Sequence, residues 1–224
     1  MRQQLLYLKN YKAMELQDLR KNYGKGTIDD YSLPADPMDW FEEWMQDALK
    51  ASLSEANAMV LSTVSESGFP SSRIVLLKHF DHNHFYFFSS YDSRKAIHLQ
   101  SNPNASLLFF WPELERQVRI EGVVEQAAES VSDEYFYSRP LESRVSAAIS
   151  PQSSVVASRE VLEIMHKDFL AHYPEGNFAR PANWGGYKFL PRLIEFWQGR
   201  KNRLHDRIQF EREGFHWKRS RLAP

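Results

Sequence analysis

Two guanidiniums flank an imidazole in Arg203-Leu204-His205-Asp206-Arg207, close behind the alternating run Ile194-Glu195-Phe196-Trp197-Gln198-Gly199. The earlier run reads as a strand. If the later one is extended too, its period of two sets Arg203, His205 and Arg207 on one face, with Leu204 and Asp206 on the other. Such a face is cationic and rich in donors, and it suits an anionic, planar, aromatic ligand. A solvated edge strand with ordinary ion pairs accounts for the same residues. Types and spacing alone leave both readings open.

Other groups point to phosphate. The chain has no Walker A loop and no G-x-G-x-x-G, and Gly185-Gly186 is too short for either. Side chains and a helix start must then hold any phosphate. Ser93-Arg94-Lys95 offers a hydroxyl cap, free backbone N–H groups and two cations at the positive end of a helix dipole. A capped surface helix with solvated basic residues reads equally well. Tyr135, Arg139 and Ser143 fall at i, i+4 and i+8, one stripe of donors on a helix that Arg139-Pro140 would bend. Arg73 and Lys78 are five apart, so a regular strand turns them to opposite faces. Either a bulge intervenes, or the two serve different ligands or subunits. The Ile74-Val75-Leu76-Leu77 between them is most simply core strand. Gln117 in its strand and Gln152-Ser153 in a loop can both donate and accept, and Trp197 is a flat wall with one N–H. A buried bridge, a loop cap and a core tryptophan are the plainer readings of these three.

The stretches Arg73 to Lys78, Ser93-Arg94-Lys95-Ala96, Glu115-Arg116-Gln117-Val118, Gln152-Ser153-Ser154 and Trp184-Gly185-Gly186 follow one another in order. With the run through Arg207 and the ending Arg221-Leu222-Ala223-Pro224, they make the chain closely resemble the pyridoxamine 5′-phosphate oxidase family, from about Arg20 to the last residue. The resemblance implies a mainly β fold with peripheral helices, a split β-barrel that binds FMN across a homodimer interface. It implies cofactor contacts at Arg73, Ile74, Val75, Leu76, Leu77, Lys78, Phe88, Ser89, Arg94, Lys95, Gln117, Gln152, Ser153, Trp197 and Arg207. Among these, Arg73, Arg94 and Lys95 belong to the flavin phosphate. Substrate contacts are implied at Arg20, Tyr23, Lys78, Tyr135, Arg139, Ser143, Arg203, Leu204 and His205. Lys78, Tyr135, Arg139 and Ser143 would take the substrate phosphate, and Arg203 and His205 would be catalytic. Arg20 and Tyr23 match a mobile segment that covers the substrate. Phe88 stands where the family leads one to expect tyrosine; a backbone contact survives that change and a hydroxyl contact does not. The implied reaction oxidises pyridoxamine or pyridoxine 5′-phosphate to pyridoxal 5′-phosphate, with O₂ reoxidising the flavin and hydrogen peroxide as product. A barrel that merely stores or senses flavin or pyridoxal phosphate is the alternative. A flavin reductase with a nicotinamide donor is a third reading, which the phosphate stripe disfavours.

The composition sets bounds on these readings. The 224 residues suit one domain, or one domain with a helical appendage, and 15 Phe, 10 Tyr and 6 Trp can fill a sizeable core. A net charge of −1 gathers neither nucleic acid nor anionic lipid, so anion recognition must be local. With no cysteine, disulfides, thiol catalysis and Cys-ligated zinc are excluded. His79, His82 and His84 lack further ligands at metal-binding spacing, and no metal is expected. The start, MRQQLLYLKNYK, is too short in apolar residues for a signal peptide, and the chain reads as cytosolic.

The elements that would carry these groups follow from periodicity. Residues 1–35 read as a mobile segment before a domain over 36–224. A helix opens at Asp36 with Pro37, burying Phe41, Trp44, Met45, Ala48 and Leu49. Strands are predicted at 58–64, 70–79, 84–90, 105–111 and 116–127, with a short helix capped by Ser93 and ended by Asn102-Pro103. A helical block over 131–173, broken at Arg139-Pro140 and Ser150-Pro151, precedes three or four closing strands in 186–219 with a turn at Glu213-Gly214. Strands, helices, then strands again indicate an antiparallel barrel rather than βαβ repeats.

Overall fold

The computed structural model describes residues 16, 18, 19 and 21–224. Asp36 opens α1 (Pro37–Lys50): its carboxylate accepts the Met38 N–H at 2.8 Å, and Pro37 sits where a missing N–H costs nothing. Phe41, Trp44, Met45 and Ala48 are buried as their spacing predicts. Leu49 is not. It lies roughly 100° further round the helix than Ala48 and is 61% exposed.

From Ala58 the chain alternates with a period of two. β1 (Ala58–Val64) pairs with β2 (Pro70–Leu76) through a turn in which Gly68 has φ +85°. β3 (His79–Phe80) pairs with β4 (Phe85–Ser90), and β5 (Asn104–Trp111) with β6 (Arg116–Gln126). The long β7 (Trp184–Gln198) is the spine of the sheet. It pairs with β6 along most of its length, with β4 at its start and with β8 (Asp206–Glu213) at its end. β9 (His216–Arg221) completes a hairpin with β8 across Gly214. Every pairing is antiparallel, in the order β2-β1-β5-β6-β7-β4-β3, with β8 and β9 branching from β7.

The two ends of that order, β2 and β3, are consecutive in the chain. Between them the Leu77 N–H donates to the Asn57 carbonyl and the Lys78 N–H to the Tyr86 carbonyl, each at 2.9 Å. This link laces the edges together, and the sheet curls into a split barrel. The single strand expected over 70–79 is therefore two strands, because the chain changes partner at Leu77. Ile74, read as core, is 62% exposed, whereas Leu77 is buried.

The spine bends at one place. The register of β6 on β7 slips between Glu121 and Gly122, opposite Pro191, whose absent N–H is tolerated at a bulge. A Cβ on Gly122 would stand 2.1 Å from the Leu190 carbonyl oxygen, so this approach needs glycine. α1 covers the barrel: Trp40 stacks on Phe196 at 4.0 Å, and Phe41 meets Phe80 and Phe85 edge-on.

Four helices decorate the sheet: α2 (Arg94–Ser101), α3 (Glu129–Ser138), α4 (Leu141–Ile149) and α5 (Arg159–His172). The helical block thus begins at Glu129, not 131, and residues 150–158 interrupt it. Ser93 occupies the N-cap of α2 without capping it: its hydroxyl donates to the Ser90 carbonyl at 2.8 Å and accepts from Lys95. The largest departure is at the C-terminal run. Lys201–Arg203 form a 3₁₀ turn with Asn202 at φ +58° and Arg203 at φ +62°, and β8 starts only at Asp206. Arg203, His205 and Arg207 therefore do not share a strand face.

Candidate functional site

Four parts of the fold converge on a cavity of about 590 Å³. β2 and the link after it supply Arg73, Ile74, Val75, Leu76 and Lys78; β4 supplies Phe88 and Ser89; α2 supplies Lys95. The α3–α4 corner supplies Tyr135, Arg139 and Ser143, and Gln152 and Trp184 complete the lining. Arg73 and Lys78 face one cavity despite their odd spacing, because the backbone reorients at Leu77 where it leaves β1 for β4. Tyr135, Arg139 and Ser143 are not one helical stripe. Tyr135 is on α3, Arg139 is extended before Pro140, and Ser143 is on α4. The corner nonetheless brings all three to the same place.

Most of these side chains are held from behind. Arg73 donates through Nη1 to the Leu61 carbonyl at 3.0 Å and to Thr63 Oγ1 at 2.8 Å, and through Nη2 to Ser71 Oγ at 2.8 Å. Buried His98 approaches Thr63 Oγ1 at 3.1 Å. Lys95 donates to Ser89 Oγ at 2.8 Å and Ser93 Oγ at 3.2 Å. Gln152 Oε1 accepts from Ser89 Oγ and the Ser90 N–H, which ties the loop to β4. Phe88 stacks on Tyr135 at 3.8 Å, and the Arg139 guanidinium lies 4.7 Å over the Trp184 ring. Gly186 makes the stack fit: a Cβ there would be 2.9 Å from the Phe88 ring.

The cavity is electrically unbalanced. Among the described residues, no carboxylate pairs with Arg73, Lys78, Arg94, Lys95 or Arg139. Burial, with Arg73 adding repulsion, pushes the Lys95 ammonium down to about 8. Burial and Arg94 push Arg73 down, and burial pushes Arg139 down. Arg139 Nη1 is buried with no partner among the described residues. Buried donors and crowded cations are what an anion with several oxygens relieves, and the donor set fits a phosphate monoester.

A second cluster sits at the far end of β7. Trp197 lies 4.7 Å from His205, and Tyr23 meets both rings at 5.6 Å. The Arg200 N–H donates to His205 Nδ1 at 3.1 Å, so the neutral ring carries its proton on Nε2. Burial and then Arg203 lower the His205 pKa against the opposing pull of Asp206. Trp197 is opposite Gln117 on β6 and Arg207 on β8. Arg207 donates to buried Glu195 at 2.7 Å and to the Ala223 carbonyl at 2.8 Å. Arg203 and Leu204 are exposed on the turn beside this cluster.

The two clusters are far apart along the strand. Phe88 and Ser89 pair with Gly186 and Gly185, at the start of β7, and Trp197 lies twelve residues beyond Gly185. At about 3.3 Å per residue that is roughly 40 Å of strand. None of Gln117, Trp197, Arg203, His205 or Arg207 lines the cavity. Leu77 is buried in the core, Ser153 is exposed at φ +73°, and Arg94 is exposed at the α2 start; these three do not line it either. Arg20 lies outside the described residues.

Some residues that build the site carried no periodic signal. Trp184, the ring beneath Arg139, stands beside two glycines with no period to mark it. Thr63 and Glu195 orient Arg73 and Arg207 from neighbouring strands. Arg221 ties the tail to Asp30 and Asp206, which explains why the closing Arg221-Leu222-Ala223-Pro224 lies against Arg207.

The family model described as pyridoxamine 5′-phosphate oxidase matches residues 45–173. The chain belongs to the pyridoxamine 5′-phosphate oxidase family. A second model, described as a pyridoxine 5′-phosphate oxidase C-terminal dimerisation region, matches residues 184–224 and so takes in most of the second cluster. The chain is 50% identical over 212 residues to pyridoxine/pyridoxamine 5′-phosphate oxidases of Burkholderia mallei and Burkholderia thailandensis; for the former this is 93% of the chain and 99% of the relative. Among solved structures it superposes on PhzG from Burkholderia lata 383, in complex with tetrahydrophenazine-1-carboxylic acid. That match has a TM-score of 0.82 and 30% identity, covering 87% of this chain and 95% of the other. An oxidase-related FMN binding protein from Nostoc punctiforme shares the fold at a TM-score of 0.69 and 16% identity, over 86% of this chain and all of that one.

Proposed function

We propose that this family member is a cytoplasmic, FMN-dependent oxidase that converts pyridoxamine or pyridoxine 5′-phosphate to pyridoxal 5′-phosphate. The observation that carries the reading is the cavity in which Arg73, Lys78, Lys95 and Arg139 converge with no carboxylate among the described residues that line it. On this reading Arg73, Arg94 and Lys95, with Ser89, hold the phosphate of FMN at the start of α2. Lys78, Tyr135, Arg139 and Ser143 hold the substrate phosphate. The relative solved with tetrahydrophenazine-1-carboxylic acid marks another ligand class within the fold. Four phosphate-type donors on one side of the cavity favour the phosphorylated substrate here.

The site is completed by a second copy of the chain. The two clusters lie at opposite ends of β7 and the second does not line the cavity, so Gln117, Trp197, Arg203, His205 and Arg207 would come from the partner, whose dimerisation region carries most of them. FMN, when bound by these residues, would supply hydride-acceptor chemistry and reactivity toward O₂, with hydrogen peroxide as the expected product. The chain's own work is to bind, orient and polarise. Arg203 would set the pyridine ring, and the His205 Nε2–H would donate to its phenolate oxygen. Tyr23, which packs beside Trp197 and His205, would lie over the substrate.

Purified protein is expected to be yellow. Mixed anaerobically with pyridoxamine 5′-phosphate it should lose its flavin absorbance band; a flavin that stays oxidised excludes this activity. Arg94→Ala should weaken FMN by about 1.5 kcal/mol, the low end for a charged hydrogen bond because the residue is exposed. Unaltered affinity in a fluorescence titration would place the phosphate elsewhere.

A further inference from the structure

The turn joining β5 to β6 carries a carboxylate with an unusual duty. Glu115 is 3% exposed, yet no cationic side chain among the described residues pairs with it. Its Oε2 accepts two backbone N–H groups from a segment some ninety residues away, Gly24 at 2.7 Å and Lys25 at 2.9 Å. Lys25 Nζ grips the same turn, donating to the Glu113 carbonyl at 2.6 Å. Glu115 also stands at φ +55°, a backbone region where a glycine would sit without strain. A strained turn that keeps a buried carboxylate is placed for that carboxylate.

The backbone of the same residue holds the other side of the contact. The Glu115 carbonyl accepts the Gly199 N–H at 2.7 Å and Gln198 Nε2 at 3.2 Å. Tyr23 is caught between these two grips. Its ring packs so closely on Gly199 that a Cβ there would stand 2.7 Å from Tyr23 Cγ, and its edge meets Trp197 and His205. Gly26 is pressed on Gln198 in the same way, 2.8 Å from the carboxamide oxygen to a Cβ. The segment's hold on this turn is thus two backbone N–H groups on one carboxylate and one lysine on a carbonyl, bonds that water can replace when the segment lifts.

We propose that Glu115 is a positioning residue for substrate binding, the latch that sets Tyr23 against His205 and Trp197. This rests on the reading that the Tyr23 segment covers the substrate. Two variants test it, with two readouts. Glu115→Gly removes the carboxylate and relieves the turn, so the fold and FMN content should be retained. Its KM for pyridoxamine 5′-phosphate should rise about tenfold or more, exceeding any fall in kcat, since the loss of even one of the carboxylate's two hydrogen bonds is worth that factor. Trypsin should cut after Lys21 and Lys25 correspondingly faster. Glu115→Gln keeps an accepting oxygen and should fall between wild type and Glu115→Gly in both readouts. Wild-type cleavage rates, or an unchanged KM, in Glu115→Gly overturn the latch. The proteolysis needs no turnover, so an inactive wild type would refute the oxidase reading while the cleavage rates still decide the latch.

Discussion

Replacing Arg203 with Leu is expected to lower kcat/KM for pyridoxamine 5′-phosphate by about 10²–10³-fold while FMN stays bound, the usual consequence of removing one charge-stabilising donor. The turn that presents Arg203 is costly to build. Asn202 and Arg203 are both left-handed, each at a cost of about 1–2 kcal/mol, and the turn is closed by the Leu204 N–H donating to the Lys201 carbonyl at 3.2 Å. Leu at 203 inherits the same backbone and the same exposed stem. Among the described residues the guanidinium makes no ion pair, so stability should move by no more than about 0.5 kcal/mol. Peroxide release under steady state, measured beside flavin absorbance, separates the two effects. Unchanged turnover removes Arg203 from the chemistry, and loss of flavin makes it a cofactor ligand instead.

Lys95→Met should have the next largest effect, and with a distinctive pH profile. Lys95 is buried beside Arg73, which brings its ammonium down to about 8. A phosphate monoester is dianionic above about pH 6. Below pH 8 the free protein already carries the proton that phosphate needs. Above it, binding must bring a proton along, so FMN affinity should fall as pH rises through 8, by up to about tenfold per unit. Lys95→Met should weaken FMN by about 1.5–3 kcal/mol at pH 7 and flatten that fall. The same change removes a desolvated charge from the apo-protein, where a lowered lysine pKa means the fold disfavours the proton. The apo-protein should therefore melt higher at pH 7, the mark of a group kept for binding at the expense of stability. A lower melting point, or a pH dependence that survives the change, contradicts this role.

Much of the barrel could be read from local chemistry. Asp36 and Pro37 mark a helix start in two independent ways, and the alternation from Ala58 places β1, β4, β5 and β6 within a residue or two of their observed limits. Failures came where the backbone leaves a period without a local signal. The alternation from Arg203 to Arg207 is genuine in the letters, but two left-handed residues turn Arg203 away before β8 begins. Ile74 and Leu77 are equally apolar, and only the switch from β1 to β4 decides that Leu77 is buried and Ile74 exposed. Pro140 did announce its effect, since the residue before proline is driven out of the helix.

The site was less legible than the fold. Arg73, Lys95 and Arg139 belong to three elements with no sequence proximity, and each alone resembles a solvated surface cation. The resemblance assigns Arg73 and Lys95 to one phosphate and Arg139 to another, and in the structure all three line one cavity. Glu115 and Glu195 lie in stretches the sequence singles out, but nothing in their spacing marks the partners they hold. Their meaning lies in partners contributed by other strands.

The division of the site between two copies is tested most directly by mixing two damaged chains. Lys95→Met injures the cavity at the start of β7, and Arg203→Leu injures the cluster at its far end. If each site takes one part from each copy, a mixed dimer holds one doubly injured site and one intact site. With random reassortment about half the dimers are mixed, and co-expression should restore about one quarter of wild-type turnover from two poorly active parents. A mixture no more active than its parents would mean that each chain builds its whole site alone.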